Sequence, residues 1–185
     1  MDNALRLFLV LFSFGLIISC QLDRNKKVER QKFQFKVGAD ANLFFRNVRQ
    51  IYYDRESPDG KWRAYRLSDR TKEVQGHGIT AVIVIHWLKD EAYLLIEPTG
   101  QLGDEETISV VVRNPKTDLQ DTVQLKERGR ERMLEFGSKI YEATQNESQL
   151  SVLLKGKYVP LFENDIDREA FRITLSDYYR LTGIF

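Results

Sequence analysis

Short segments in which apolar and polar residues alternate recur along the chain. Such a period of two is typical of strands that bury one face. One run, residues 79–87, is instead almost continuously apolar and rich in β-branched side chains, which predicts a central strand buried on both faces. The other segments that the pattern assigns to strands are 33–37, 61–67, 91–97, 108–112, 122–125 and 149–162, the last interrupted around Gly156 and Pro160.

Residues 43–55 fit two patterns. Positions 43, 47/48 and 51/52 have the spacing of one helix face: Leu43, Asn47 or Val48, and Ile51 or Tyr52. The aromatic and β-branched content of the segment, followed by the turn-forming residues 57–60, favours a strand that enters a hairpin with residues 61–67. We expect the strand, and a helix is the alternative.

Near Arg128 the period of the apolar positions changes from two to that of an amphipathic helix. Glu135 and Lys139 are spaced to form an ion pair on its outer face. A second helix is predicted to begin at Asp167, as the N-cap, and to end at Gly183. The apolar stripes of the two helices are Met133, Leu134, Gly137, Ile140, Tyr141 and Thr144, and Phe171, Leu175, Tyr178, Tyr179, Leu181 and Thr182.

Many short strands followed by two helices predict an α+β fold. We expect a curved antiparallel sheet of several short strands, with the two helices of the C-terminal half packed on one face. No internal repeat or low-complexity linker divides the chain, so residues 32–185 are predicted to form a single globular domain.

The amino terminus has a different character. Residues 7–18 are apolar apart from Ser13 and Gly15. Twelve helical residues rise about 18 Å, too little to cross a hydrocarbon core of about 30 Å. A short apolar stretch behind Arg6 is typical of a cleavable secretory signal instead.

The sequence Ile17-Ile18-Ser19-Cys20 resembles the lipobox of bacterial lipoproteins: aliphatic residues, a small residue and a cysteine. The resemblance covers residues 1–20 and implies nothing about the fold that follows. It implies that the thiol of Cys20 receives a diacylglyceryl group, that the signal is cleaved between Ser19 and Cys20, and that the new amino group is acylated. The alternative is an ordinary secretory signal in which the cysteine occurs by chance.

The lipoprotein interpretation divides the chain into a cleaved signal, residues 1–19, a lipidated cysteine with a polar flexible tether, residues 20–31, and the domain. Two or three acyl chains hold a protein on a membrane almost permanently. Gln21 follows the cysteine, and in enteric-type sorting this implies the outer membrane rather than the inner. The sequence leaves the periplasmic and the surface orientation open.

Composition narrows the possible functions. Without residues 1–19, 27 basic residues face 26 acidic ones, and a net charge of +1 lacks the basic excess of a nucleic-acid-binding protein. Cys20 is the single cysteine. Once it is acylated, disulfides, thiolate metal sites and a cysteine nucleophile are excluded from the domain.

Candidate chemistry is sparse. His77, between two glycines in a predicted loop, is the one candidate for ligand binding or proton transfer, and His86 is expected to be a hydrogen-bonded, partly buried side chain. The acidic residues 104–106 are typical of a solvated loop. The acidic residues 163–169 resemble a calcium loop only loosely, because the required glycine is missing, and helix capping explains them better. No catalytic residue, metal site or cofactor is predicted.

These observations favour a lipid-anchored, non-enzymatic protein of the cell envelope that binds a protein partner or supports an envelope assembly. One alternative is a surface adhesin for host or environmental macromolecules. Another is a small-ligand carrier or hydrolase that uses His77 and the acidic loops. The aromatic residues are expected mainly in the core, with an interface as the alternative. They are Tyr52, Tyr53, Trp62, Trp87, Tyr178 and Tyr179.

Overall fold

The computed structural model describes residues 28–72 and 76–185. Cys20, the signal and residues 20–27 of the predicted tether lie outside the described residues. The fold is α+β, as predicted, and its strands divide into two antiparallel four-stranded sheets. None of the helices within the described ranges is long and apolar enough to cross a membrane.

Sheet A has the order β1-β2-β3-β4. Its strands are β1 (Tyr53–Glu56), β2 (Trp62–Leu67), β3 (His77–His86) and β4 (Glu91–Gly100). The apolar run predicted as a central strand is β3, which pairs with a neighbour on each side. The strand begins earlier than the pattern suggested, so His77 lies at the start of β3 and not in a loop.

Sheet B has the order β6-β5-β7-β8. Its strands are β5 (Ile108–Arg113), β6 (Gln120–Leu125), β7 (Gln149–Leu154) and β8 (Lys157–Pro160). The pairing of β5 with β6 and the interruption at Gly156 follow the sequence pattern. Gly156 adopts a φ of 79°, which a side chain would strain, and it allows the tight turn between β7 and β8.

Residues 39–52 form a continuous helical segment, so the strand predicted there is wrong before Tyr53. The segment starts as α1 (Ala39–Phe44), widens to one turn of π-helix (Phe45–Arg49) and tightens to a 3₁₀ turn (Gln50–Tyr52). The tertiary contacts of the segment explain the helix: Phe45 packs into the core and Arg49, four residues later, binds Asp177, and these contacts override the β propensity of the individual aromatic residues. The predicted hairpin with residues 61–67 is present, but β1 begins only at Tyr53.

The two predicted C-terminal helices are α2 (Arg130–Gln145) and α3 (Asp165–Thr182). The Nζ of Lys139 lies 3.2 Å from Glu135, as predicted. The N-cap of α3 is Asn164, whose side chain accepts a 2.8 Å bond from the backbone N–H of Asp167, so the prediction of Asp167 as the cap is wrong by three residues. Gly183 ends the helix in the left-handed conformation, as predicted.

The core is one cluster of buried side chains that joins the helices to sheet A and also includes strand residues of sheet B. Strand neighbours Tyr65, Ile83 and Leu94 share one face of sheet A and are buried. Gly137 of α2 lies so close to the sheet that an added Cβ would be 2.7 Å from Leu94. The same Cβ would lie 3.5 Å from Leu175 of α3. Small side chains at this contact let helix and sheet approach closely.

The segment before α1 is part of the domain. Val28 is buried in the core, so the packed chain begins at least four residues before the boundary predicted at residue 32. Arg30 opens a short 3₁₀ turn and contacts Glu142 of α2 at 2.7 Å. Residues 33–37, predicted as a strand, run beside β4 but form only the isolated bridge between Lys36 and Glu91.

Candidate functional site

The helical segment 39–52 carries five exposed apolar side chains on one side. They are spaced as a helix face and are between 45% and 73% exposed. Five side chains of this size, each about half exposed, present roughly 500 Å² of apolar surface, the size of patch that commonly has a function. We call this surface the Leu43–Tyr52 face; its members are Leu43, Phe44, Val48, Ile51 and Tyr52.

The opposite side of the same segment fixes the face to the domain. Phe45 is buried against Tyr53 and Tyr65, with ring centroids 5.6 and 5.2 Å away. One turn later the Nε of Arg49 donates to both carboxylate oxygens of Asp177, each at 2.9 Å. Tyr53 also donates to Asp177, at 2.7 Å. Phe45 and Arg49 therefore face the core, which turns the five apolar residues outward.

The carboxylate of Asp177 is only 2% exposed. Burial raises its pKa, while the hydrogen bond from Tyr53 and the charge of Arg49 act in the opposite direction. Burial and the same carboxylate raise the pKa of Tyr53 well above its usual range. A buried acid with two donors is costly to disrupt, because removal of one partner leaves the others unpaired. The contact under the face therefore depends on Arg49, Tyr53 and Asp177 together.

The second apolar surface is a row of aromatic rings, which we call the Trp62 row: Phe35, Trp62 and Tyr93. The Trp62 and Tyr93 centroids are 5.6 Å apart, and those of Phe35 and Tyr93 are 5.5 Å apart. The guanidinium of Arg130 lies 4.7 Å from the centre of the Phe35 ring and 5.8 Å from that of Tyr93. The three rings are half-buried. Mutual stacking holds them in place.

The two surfaces lie on opposite sides of sheet A. Side chains alternate along β4, so Tyr93 points away from the face on which Leu94 meets α2. Trp62 follows the same alternation in β2, three residues before the buried Tyr65. Phe45 contacts Tyr65 on the helix-covered face. The Leu43–Tyr52 face therefore lies beyond the helix layer, and Trp62 and Tyr93 point to the other side of the sheet.

His77, the sequence candidate, lies in a cleft of about 240 Å³. Its Nδ1 is 3.0 Å from the Oε1 of Glu163, and this oxygen also accepts the backbone N–H of His77 at 3.2 Å. The Nε2 lies 2.6 Å from the carbonyl oxygen of Pro160. Gly76 makes room for the carboxylate, because a Cβ there would lie 2.2 Å from Glu163.

The histidine and the carboxylate that an acid–base site requires are thus together in a cleft. However, both ring nitrogens already face an acceptor of the protein, and neither presents a free lone pair to a substrate. The guanidinium of Arg66, which also lines the cleft, is engaged in the same way by Glu97 at 2.6 Å. The arrangement joins β3 to the segment between β8 and α3 and serves as a structural clasp.

The other sequence candidates remain apart from one another. His86 is buried, and its ring centroid lies 4.3 Å from that of Trp62. A hydrogen-bonded side chain was predicted, but the Nδ1 of His86 has no hydrogen-bond partner among the described residues. Asp167, in the acidic segment 163–169, accepts from the backbone N–H of Thr71 and does not turn toward a common centre. Among residues 28–72 and 76–185 no group of three metal-ligating side chains could hold an ion.

Sequence reasoning missed both apolar surfaces. The helical spacing of residues 43–52 was visible, but spacing alone does not tell a buried face from an exposed one. The Trp62 row depends on the register that places residues 62 and 93 on one side of three paired strands. Searches with family models, curated proteins and solved structures found no match to this chain.

Proposed function

We propose that this chain is an exported, lipid-anchored protein of the bacterial cell envelope whose domain is not an enzyme but binds a protein partner through the Trp62 row. The observation that carries the binding role is the row itself. Tryptophan, tyrosine and arginine are the residue types that contribute most binding energy at protein interfaces. Trp62, Tyr93 and Arg130 bring all three together on one surface.

The row has the properties of a preformed anchor site. Tyr93 donates a hydrogen bond to Glu91, and burial together with this carboxylate raises the pKa of Tyr93. Its hydroxyl is therefore held in one direction as a neutral group. Rings that are already ordered lose little side-chain entropy on binding, which favours affinity.

The state of His77 supports a binding role over the hydrolase alternative. A general base has to reach a substrate proton with a free nitrogen. The His77 nitrogens are occupied by Glu163 and Pro160.

The partner hypothesis is tested by site-specific photo-crosslinking in cells with the native envelope. A benzophenone amino acid in place of Trp62 is expected to give one discrete adduct with a second protein. The matched control replaces Tyr158, an aromatic residue of sheet B that is 66% exposed. Equal adducts at both positions, or none at position 62, would contradict a partner at the row.

The anchor is tested separately at Cys20. Replacing Cys20 with alanine should abolish palmitate labelling and leave an uncleaved or soluble species, because the thiol is the acylated atom in the proposed lipoprotein. Ser13→Ala, inside the predicted signal, is the control and should still be labelled. Labelling that persists in Cys20→Ala would refute the anchor. Recovery of the labelled chain in the outer-membrane fraction is expected from Gln21.

A further inference from the structure

We propose that the contact of His77 with Glu163 and Pro160 is a proton-dependent clasp. It holds the start of β3 against the segment before α3 while the His77 ring carries a proton on each nitrogen, and it releases this end of β3 when one proton is lost. We call the three residues the His77 clasp. This role lies beyond the proposed function and depends neither on the lipid anchor nor on a partner at the Trp62 row.

The two ring nitrogens of His77 each lie at hydrogen-bonding distance from an oxygen. The Nδ1 is 3.0 Å from the Oε1 of Glu163, and the Nε2 is 2.6 Å from the carbonyl oxygen of Pro160. A neutral imidazole has one N–H donor and one lone pair, whereas the imidazolium has two donors. A carbonyl oxygen has no proton to give, so the Nε2 has to donate. Both bonds of the clasp therefore exist together only when His77 is protonated.

The carboxylate of Glu163 is held in place as an acceptor. Its Oε1 also accepts the backbone N–H of His77 at 3.2 Å. The carboxylate packs over Gly76, where a Cβ would lie 2.2 Å from it. Because two donors of His77 converge on one oxygen, the carboxylate cannot turn away from the ring without losing the backbone bond as well.

Burial of the ring links the proton to the position of the chain. The side chain of His77 is only 15% exposed, so water has little access to the contact. A neutral ring would leave a lone pair against one of the two oxygens, and an unpaired polar group away from water is costly. The cost is relieved when the ring and the oxygen move apart, which separates β3 from the segment before α3.

A second link joins the chain before β3 to the start of α3. The backbone N–H of Thr71 donates to Asp167 at 2.8 Å, and the side chain of Asn164 donates to the hydroxyl of Thr71 at 3.1 Å. These bonds do not involve a histidine. Loss of the His77 proton should therefore free the start of β3 while Thr71 stays attached, and the opening is local.

The charged groups that line the cleft around the ring are three cations and three acids. The guanidinium of Arg66 is paired with Glu97 at 2.6 Å. Arg70 and Lys72 are paired with Asp54, at 2.8 and 3.1 Å. Glu163 is thus the acid paired with the ring in the part of the chain that the structure describes, and the cations are neutralised by other partners. The six lining groups are Arg66, Arg70, Lys72, Glu97, Glu163 and Asp167.

Low pH closes the clasp and high pH opens it. The folded chain binds the second proton of His77 through a hydrogen bond that the unfolded chain lacks. The clasp therefore contributes fully below about pH 6.5, near which histidine ordinarily becomes charged, and its contribution is lost as the pH rises above that range. Histidine is the side chain that ordinarily titrates between pH 5 and 8, which suits such a switch.

The first test observes the ring protons of His77 by NMR in the full chain labelled with ¹⁵N-histidine. The chain has two histidines, so His77→Gln or His86→Gln assigns the signals. At pH 5.5 we expect two ring N–H protons of His77 that exchange slowly with water, and at pH 8.5 no more than one. A single slowly exchanging ring proton at pH 5.5 would overturn the proposal, because the clasp requires both.

The second test measures amide hydrogen exchange, corrected for the intrinsic dependence of the rate on pH. Protection of the His77 amide, which donates to Glu163, should fall about tenfold between pH 5.5 and 8.5. The amide of Ile83, in the middle of the same strand, is the internal control and should keep its protection.

Two variants test the origin of this pH dependence. His77→Gln can donate only one of the two bonds and does not titrate, so its amide should be less protected at pH 5.5 and equally protected at both pH values. Glu163→Gln keeps an acceptor but removes the charge, and the loss of protection should begin at lower pH. An equal fall in His77→Gln and the unmodified chain, or no fall in the latter, would overturn the clasp. A fall that disappears in His86→Gln would assign the proton to His86 and overturn it as well.

Discussion

The Leu43–Tyr52 face and the Trp62 row are both apolar, but they are built in different ways. In the row each ring contacts another ring, and two of the rings, those of Trp62 and Tyr93, belong to strands of sheet A. In the face the side chains project separately into solvent. Folding accounts for part of the row, because its packing stabilises the sheet. Folding accounts less well for the face, whose five side chains remain between 45% and 73% exposed.

The difference shows where to look for function in a domain without a recognised site. An exposed apolar side chain is unremarkable when it occurs singly. Five of them on one helical segment, above a buried ion pair that orients the segment, form a surface that the fold itself does not need. The Trp62 row is a preformed surface of another kind, because contacts between its rings fix their geometry in the folded domain.

The largest expected effect concerns the tie below the face. Asp177→Ala should lower the free energy of unfolding by about 2–4 kcal/mol, because the buried hydroxyl of Tyr53 and the guanidinium of Arg49 lose their acceptor. Urea denaturation followed by circular dichroism at pH 7 measures the change. The control is Arg113→Ala, which removes an exposed pair with Asp118 and should cost less than about 0.5 kcal/mol. A loss below 1 kcal/mol in Asp177→Ala would mean that the segment is held by Phe45 alone.

A smaller effect is expected in the row. Trp62→Ala should cost about 1–2 kcal/mol, since the ring is half-buried and loses its contacts with Tyr93 and His86. Tyr158→Ala, at an exposed position of sheet B, should change stability by less than about 0.5 kcal/mol. Equal losses in the two variants, measured by thermal unfolding, would show that the row does not support the sheet.

The two sides of sheet A should also differ in their response to pH. Tyr53 faces the helices, and burial with the nearby Asp177 raises its pKa. The folded state therefore holds this proton more tightly than the unfolded chain, and the contribution of Tyr53 is complete below about pH 10 and is lost as the pH rises above it. Tyr53→Phe should flatten the alkaline decline of stability and cost about 1 kcal/mol at pH 7.

The next residue, Asp54, lies on the other face and has the opposite sign. Hydrogen bonds from Arg70, Ser68 and Lys72 hold the pKa of Asp54 well below its usual range. Its contribution is present above about pH 4 and is lost as the pH falls below that value. Because the side chain is partly exposed, Asp54→Asn should lower the free energy of unfolding by less than about 1 kcal/mol. This loss should be seen only above about pH 4, where Asp54 contributes to stability. The free energy of unfolding measured from pH 2 to 11 tests both variants. Tyr53→Phe should change the alkaline part of the curve and Asp54→Asn the acidic part, and the reverse result would contradict these roles.

Sequence patterns predicted much of this architecture. The apolar run of β3 and the helical stripe of α2 were recognised because each depends on a period within one segment. The segment 43–52 was misassigned because the strand propensity of its aromatic and β-branched residues is overridden by the long-range contacts of Phe45 and Arg49, which the sequence does not show. The cap of α3 was placed at Asp167 instead of Asn164, since either side chain can serve and only the geometry distinguishes them.

The candidate surfaces required the structure. The row combines Phe35, Trp62 and Tyr93, which are distant in sequence and meet through strand register. The tie between Arg49 and Asp177 joins residues 128 positions apart. His77 was singled out for its flanking glycines, and the structure gives one of them a packing reason: a Cβ at Gly76 would overlap Glu163. The glycines beside His77 thus pointed to a structural contact between His77, Glu163 and Pro160. The two apolar surfaces had no comparable sequence pattern beyond the helical spacing of residues 43–52.

The smallest expected change in stability tests whether the Leu43–Tyr52 face, unlike the Trp62 row, is unnecessary for folding. Ile51→Ser should change the free energy of unfolding by no more than about 0.5 kcal/mol, because the side chain is exposed and buries little area on folding. Phe45→Ala, on the buried side of the same segment, should cost about 3–5 kcal/mol and shows that the assay detects losses there. A loss above 1 kcal/mol in Ile51→Ser would mean that the face packs within the folded chain. An unchanged stability would leave Ile51 an apolar residue that the fold does not use, which is the property that a docking surface requires.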